Sequence, residues 1–237
     1  MPLVRLSDEL ETETSGRILP HKAMVNLREL KEDIFQEAFK TEWEPDPEYS
    51  VFNQMDHSWY DSQRAEFVYK YRVLRAIAKV LEPKTITELG TCAGSAVDAY
   101  HAGFSGIKHY TGYDLFPVVI HEDTGQEWST EERARLLLED RGIEHDLIKG
   151  NLRNVKEVKG ADLISVDAAH CYRDGYRDLR LAFHANPAPV FIHVDDAINE
   201  VGLAITDAVI DYGSDKIQQI HIDYVHGGGC LLYLPQK

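Results

Sequence analysis

The chain has 237 residues, 43% of them hydrophobic, and its 40 acidic against 25 basic side chains leave a net charge of −15. That length fits one large α/β domain, or one domain with an appendage, with enough apolar content for a real core. The charge argues against a nucleic-acid partner, because phosphate binding needs clustered Lys and Arg. Cys92, Cys171 and Cys230 are far apart in sequence and form no C-x-x-C pair, so they give neither a zinc site nor a disulfide framework. With no apolar signal region at the N-terminus and no apolar run of membrane-spanning length, the expectation is a cytoplasmic protein without a membrane partner.

Along the chain, the first part, to about Trp59, is acidic and interrupted by Pro20, Pro45 and Pro47. Apolar residues at helical spacing predict one amphipathic helix over 27–39. A second helix is expected over 61–81, with Phe67, Val68, Tyr71, Leu74, Ile77, Ala78 and Leu81 as its apolar stripe and Pro83 as its stop. Residues 1–60 read as a helical cap or lid, and 61–237 as the main domain. From Thr85 onward strand and helix patterns alternate. Strands are predicted at 85–89, 109–114, 145–149, 162–167, 190–195, 217–225 and 230–234, and helices at 95–103, 130–141, 152–158, 175–185 and 198–211. Ser129 with Glu132 makes a capping box, and Gly142 follows the end of that helix. The alternation implies an α/β, Rossmann-like, mostly parallel sheet of seven strands. The last two strands are separated only by His226 to Gly229, too short for a helical crossover, so a C-terminal antiparallel hairpin is required.

Ligands of open α/β sheets sit outside the carboxyl ends of the strands, so strand ends carry the chemistry. The first strand ends in Glu88-Leu89-Gly90-Thr91-Cys92-Ala93-Gly94-Ser95. Gly90 permits a sharp turn and Gly94 a close approach of backbone and ligand. Cys92 stands where the dinucleotide fingerprint has its middle glycine, which disfavours a phosphate cradle. Asp114, at the end of the second strand, is suited to accept both hydroxyls of a ribose, or else caps a turn. Asp167 ends the fourth strand, and Asp195 and Asp196 the fifth. Three carboxylates at neighbouring strand ends repel one another unless one protonates or a hard cation such as Mg²⁺ joins them. The alternative is that one of the pair caps the helix near Ala197 while Asp167 contacts cofactor.

The E-x-G-x-x-x-G run resembles motif I of class I S-adenosylmethionine (SAM) methyltransferases, and Glu88 to Val97 looks like that of catechol-type O-methyltransferases. Asp167-Ala168-Ala169-His170-Cys171-Tyr172 resembles the D-G-D-H-x-Y segment of a group that includes metal-dependent sugar O-methyltransferases of antibiotic pathways. Val194-Asp195-Asp196 is similar to the pair that completes their Mg²⁺ site. The resemblance covers roughly 62–234. It implies SAM held by Glu88, Gly90, Thr91, Gly94, Ser95, Asp114, Asn151, Leu152 and Asp167, and Mg²⁺ held by Asp167, Asp195 and Asp196. Two departures stand out. Ala169 replaces a second acid proposed as base in the sugar-modifying relatives, and His170 stands where catechol-type enzymes carry a Lys. With an ordinary pKa of about 6.5, His170 suits a general base, although it would equally orient substrate.

Other candidates carry bland readings too. His193 points to the same face as Asp195 and reads as a hydrogen-bonded interior histidine before a fourth metal ligand. Tyr172, Arg173, Arg177 and His226 are possible substrate contacts or ordinary surface groups, and His21, His57, Trp59 and Tyr60 belong to the N-terminal segment. The insert 115–128 is long for a loop and is expected to act as a lid. The function expected is a Mg²⁺-assisted SAM-dependent O-methyltransferase for a small hydroxylated molecule, with secondary metabolism as the setting the resemblance implies and a homodimer as the plausible assembly. The alternatives are a metal-independent methyltransferase, or a SAM- or nucleotide-binding protein without methyl transfer.

Overall fold

Helical periodicity in the first third of the chain and strand–helix alternation in the rest both translate into structure. The computed structural model describes residues 25–46, 57–120, 127–168, 170–213, 215, 217–222, 224 and 228–235. Helix α1 (Leu27–Lys40) starts where the Asn26 side chain accepts the backbone N–H groups of Arg28 and Glu29, and it buries Leu30, Ile34 and Ala38 at four-residue spacing. Helix α2 (His57–Leu81) begins a turn earlier than its apolar stripe predicts and ends ahead of Pro83.

The main domain then runs β1 (Thr85–Leu89), α3 (Ser95–Gly103), β2 (His109–Asp114), β3 (Val118–Ile120), β4 (Glu127–Ser129), α4 (Thr130–Asp140) and β5 (Glu144–Lys149). It continues through a 3-10 turn at Leu152–Asn154 to β6 (Leu163–Val166), α5 (Tyr172–Phe183), β7 (Phe191–Asp195), α6 (Asn199–Tyr212), β8 (Gln218–Ile222) and β9 (Gly229–Tyr233). Seven strands form one sheet in the order β5-β2-β1-β6-β7-β9-β8. The first five in that order are mutually parallel, whereas β9 runs antiparallel to both β7 and β8. The expected hairpin is therefore present, with its second strand inserted between β7 and β8.

One apolar cluster on the sheet joins α1, α2, α3 and α4, and a second joins α5 and α6. Every residue of β7 and β9 is buried, as strands covered on both faces require. Helix α1 contributes Leu30, Ile34 and Ala38 to the first cluster and packs against α2 and β8. It is thus built into the first apolar cluster; residues 1–24 and 47–56, with His21, lie outside the described residues.

Two expectations need correction. The helix predicted over 152–158 is only the 3-10 turn, followed by an extended stretch in which Val158 is buried and Lys159 bridges Asn186. This connection must pass β2 and β1, with strands about 4.8 Å apart, and descend the sheet to reach β6. A helix over those seven positions would advance only about 10 Å, so extended backbone is needed. The insert 115–128 is not all loop either. Its ends pair as the antiparallel ribbon β3–β4, between 121–126, which lie outside the described residues.

Candidate functional site

Strand order reverses across β1, with β2 on one side and β6 on the other, so the carboxyl ends of these strands frame the crevice where a ligand would sit. The turn after β1 is left-handed at three positions: Gly90 (φ 99°), Cys92 (φ 49°) and Gly94 (φ 90°). A Cβ at Gly90 would lie 2.6 Å from the Asp167 carbonyl carbon, so the first glycine is required by the neighbouring strand end as much as by its φ. A Cβ at Gly94 would press on Leu137 and Val97, so this glycine answers to φ and to packing against α4. Gly94 precedes α3 and no side chain caps that helix. The first-turn N–H groups of α3 are therefore available to an anionic ligand group.

Asp114 braces this turn. One carboxylate oxygen accepts the Cys92 N–H at 2.9 Å and the other the Phe116 N–H at 2.7 Å. An ionised carboxylate has about four acceptor sites, so two backbone bonds leave capacity for a diol. Glu88 is buried; the Tyr110 hydroxyl donates to its Oε2 and lies 3.1 Å from Thr91 Oγ1. Burial pushes the Glu88 carboxyl up to about 8. Thr91 and Ser95 are buried beside it, Leu152 is buried in the 3-10 turn, and the Asn151 side chain caps that turn by accepting the Arg153 N–H at 2.9 Å.

The three predicted metal ligands do not converge on one point. Asp167 and Asp195 come together, and Lys70 of α2 reaches both: its Nζ donates to Asp167 Oδ2 at 3.2 Å and to Asp195 Oδ2. The Tyr224 hydroxyl donates to the other oxygen of Asp195. Burial acts against the charge of Asp195, but the Lys70 ammonium, a hydrogen bond from Asp167 and the nearby His193 together offset it and hold this carboxyl below the ordinary range. Burial and the neighbouring Asp195 charge push Asp167 well above it. Asp196, at φ 51°, turns the other way, and His170 Nδ1 lies 2.5 Å from its Oδ2. That hydrogen bond raises the pKa of the exposed imidazole. A divalent ion with carboxylate oxygens at about 2.0–2.1 Å would need the position that the Lys70 ammonium holds. Among the described residues no group of three or more His, Cys, Asp or Glu is arranged to hold a metal. The expected Mg²⁺ site does not fit the residues as they are arranged.

Lys70 is the residue the sequence reading missed. It precedes Leu81 by three helical turns, about 16 Å at 1.5 Å per residue. That matches the climb of the five residues of β1 at about 3.3 Å each, so a helix packed against β1 brings this side chain to the rim. The available signal was a lysine on the inward stripe of α2, three residues after Phe67 and four before Leu74.

The remaining candidates separate. His193 is buried, with Nε2 3.3 Å from the Tyr224 hydroxyl, and burial lowers its pKa to about 4, as suits an interior histidine. Tyr172 donates to Asp207 at 2.7 Å and so ties α5 to α6, whereas Arg177 pairs with Asp174 and Asp178 within α5. Arg173 is exposed. The side chains of His57, Trp59 and Tyr60, together with Ala169 and His226, lie outside the described residues.

No protein-family model matches the chain, and no curated protein matches it. Solved structures do. The SAH-bound methyltransferase PaMTH1 of Podospora anserina aligns with a TM-score of 0.53 at 15% identity, over 90% of this chain and 98% of that one. A methyltransferase from Geobacter sulfurreducens aligns with a TM-score of 0.53 at 15% identity, over 89% and 98%. At such identity the likeness is one of fold: the chain has the Rossmann-like α/β fold of these methyltransferases.

Proposed function

We propose that the chain is a SAM-dependent methyltransferase acting on a hydroxyl of a small molecule. The observation that carries this reading is the uncapped start of α3 after a left-handed turn braced to Asp114, within a sheet of methyltransferase strand order. When bound, SAM supplies an electrophilic methyl group on a sulfonium. Glu88, Gly90, Thr91, Gly94 and Ser95 would surround its methionine part, whose carboxylate suits the first-turn N–H groups of α3. Asp114 would accept the ribose hydroxyls, Asn151 and Leu152 would flank the adenine, and Asp167 would border the pocket beside Gly90.

His170 is the base in this reading. Asp196 holds Nδ1 and so aims Nε2 outward, where it would take the proton of the acceptor hydroxyl. Asp196 is then a positioning residue rather than a metal ligand. No step is assigned to Mg²⁺, because Lys70 and the divergence of Asp195 from Asp196 leave no shared point for it. Methyl transfer is an in-line displacement that gains most from alignment and exclusion of water.

Calorimetric titration with SAM and its demethylated product tests the reading. Binding is expected, weakened about tenfold or more by Asp114→Ala, since two hydrogen bonds to a charged group are lost. Release of the demethylated product with hydroxylated acceptors should follow and should fall on His170→Ala. A folded protein that binds neither form of the cofactor, or that binds NAD instead, would overturn it.

A further inference from the structure

We propose that the Lys70 ammonium is the resident cation of the Asp167–Asp195 pair and occupies the position a divalent metal would take, so that this rim works without one. Three observations converge. Lys70 Nζ touches one oxygen of each carboxylate, and the side chains are only 12% (Lys70), 23% (Asp167) and 4% (Asp195) exposed. The other oxygen of Asp195 accepts the Tyr224 hydroxyl, so both oxygens of this carboxylate already have donors within the protein. Asp196, the third expected ligand, faces His170. Two carboxylates brought out of water need a positive partner, and a lysine anchored on a rigid helix supplies it without an exchangeable ion. A dication entering beside it would meet a like charge at close range.

The ammonium also offers a fixed positive charge at the strand ends where an acceptor oxygen would lose its proton. That consequence rests on the methyltransferase reading; the exclusion of metal does not.

Mn²⁺, a spectroscopic probe that takes the same oxygen ligands as Mg²⁺, tests the inference through the amplitude of its free-ion electron paramagnetic resonance signal. Wild-type protein and Asp195→Asn should leave the same amount of Mn²⁺ free. Lys70→Met, which keeps the length and loses the charge, should take up one further ion per chain, and adding Asp195→Asn to it should abolish that uptake. Mn²⁺ binding by wild type that Asp195→Asn removes would overturn the proposal, as would a folded Lys70→Met that gains no ion. If Lys70→Met does not fold, the wild-type and Asp195→Asn pair still decides, because equal free Mn²⁺ supports the proposal and a difference sinks it. SAM binding measured on the same samples keeps the two readings apart. No SAM binding with no Mn²⁺ uptake removes the methyltransferase and leaves the ammonium. SAM binding together with Asp195-dependent Mn²⁺ binding does the reverse.

Discussion

Glu88 sits at 1% exposure with the Tyr110 hydroxyl donating to it, and burial moves its carboxyl from 4.5 to about 8. An unfolded chain releases that proton near 4.5, whereas the folded protein keeps it until about 8. The stability this group contributes is therefore complete below 4.5 and is lost as pH rises toward 8. Glu88→Gln mimics the protonated carboxyl and cannot ionise. Its stability relative to wild type should rise between pH 5 and pH 8 by a few kcal/mol, at about 1.4 kcal/mol per pKa unit. Urea unfolding at the two pH values measures this, and a difference independent of pH would mean that Glu88 is ionised in the fold. Gly90→Ala acts through geometry instead: a Cβ there meets the Asp167 backbone and φ is 99°. A loss of about 2–4 kcal/mol is expected in the same experiment, and a loss under about 0.5 kcal/mol would show that the β6 end yields. At this scale the acids were legible because strand ends can be counted from the sequence. Their partners were not, since Lys70 lies 97 positions from Asp167 and only packing of α2 on the sheet joins them.

Helix α1 separates a core role from a covering one. Ile34 is fully buried among α2 and sheet residues, in the cluster that also holds Leu74, Ile77 and Ile220. Ile34→Ala should then lower global stability by about 2–5 kcal/mol with an unchanged urea dependence. Were α1 an independent flap, the main transition would stay in place and a separate early one would appear. The elements most legible in the sequence were those with unambiguous periodicity or punctuation. The α3 bounds match, the Ser129 cap receives the Glu132 N–H, and Gly142 adopts φ 66° just past α4. The hairpin followed from chain length alone, because no helix fits between β8 and β9. The failure at 152–158 has the same root. Local pattern there allows helix, but the distance between β5 and β6 is a property of the finished sheet, and it selects extended chain. The ribbon β3–β4 has strands of three residues each, too short for alternation to register.

For the molecule as a whole, the site residues come from the ends of β1, β2, β6 and β7 and from α2, so ligand binding would draw on both apolar clusters at once. A ligand that binds only the folded state at a hundred times its Kd adds about 2.7 kcal/mol. For a chain of this size that corresponds to a rise in Tm of about 5–10 °C. SAM should produce such a shift in a single transition, because the strands that frame the crevice, β1, β2 and β6, lie inside the sheet and not at its edges. Ile34→Ala should lower Tm yet keep the shift, since it thins the core beneath α1 and leaves Asp114, Cys92 and the start of α3 in place. Asp114→Ala should do the opposite, with a smaller effect on the ligand-free Tm and most of the shift gone. Differential scanning calorimetry of the three proteins with and without SAM makes the comparison. Equal shifts in wild type and Asp114→Ala would remove the ribose role from Asp114. A shift confined to a second, lower transition would mean that the rim unfolds apart from the sheet that builds it.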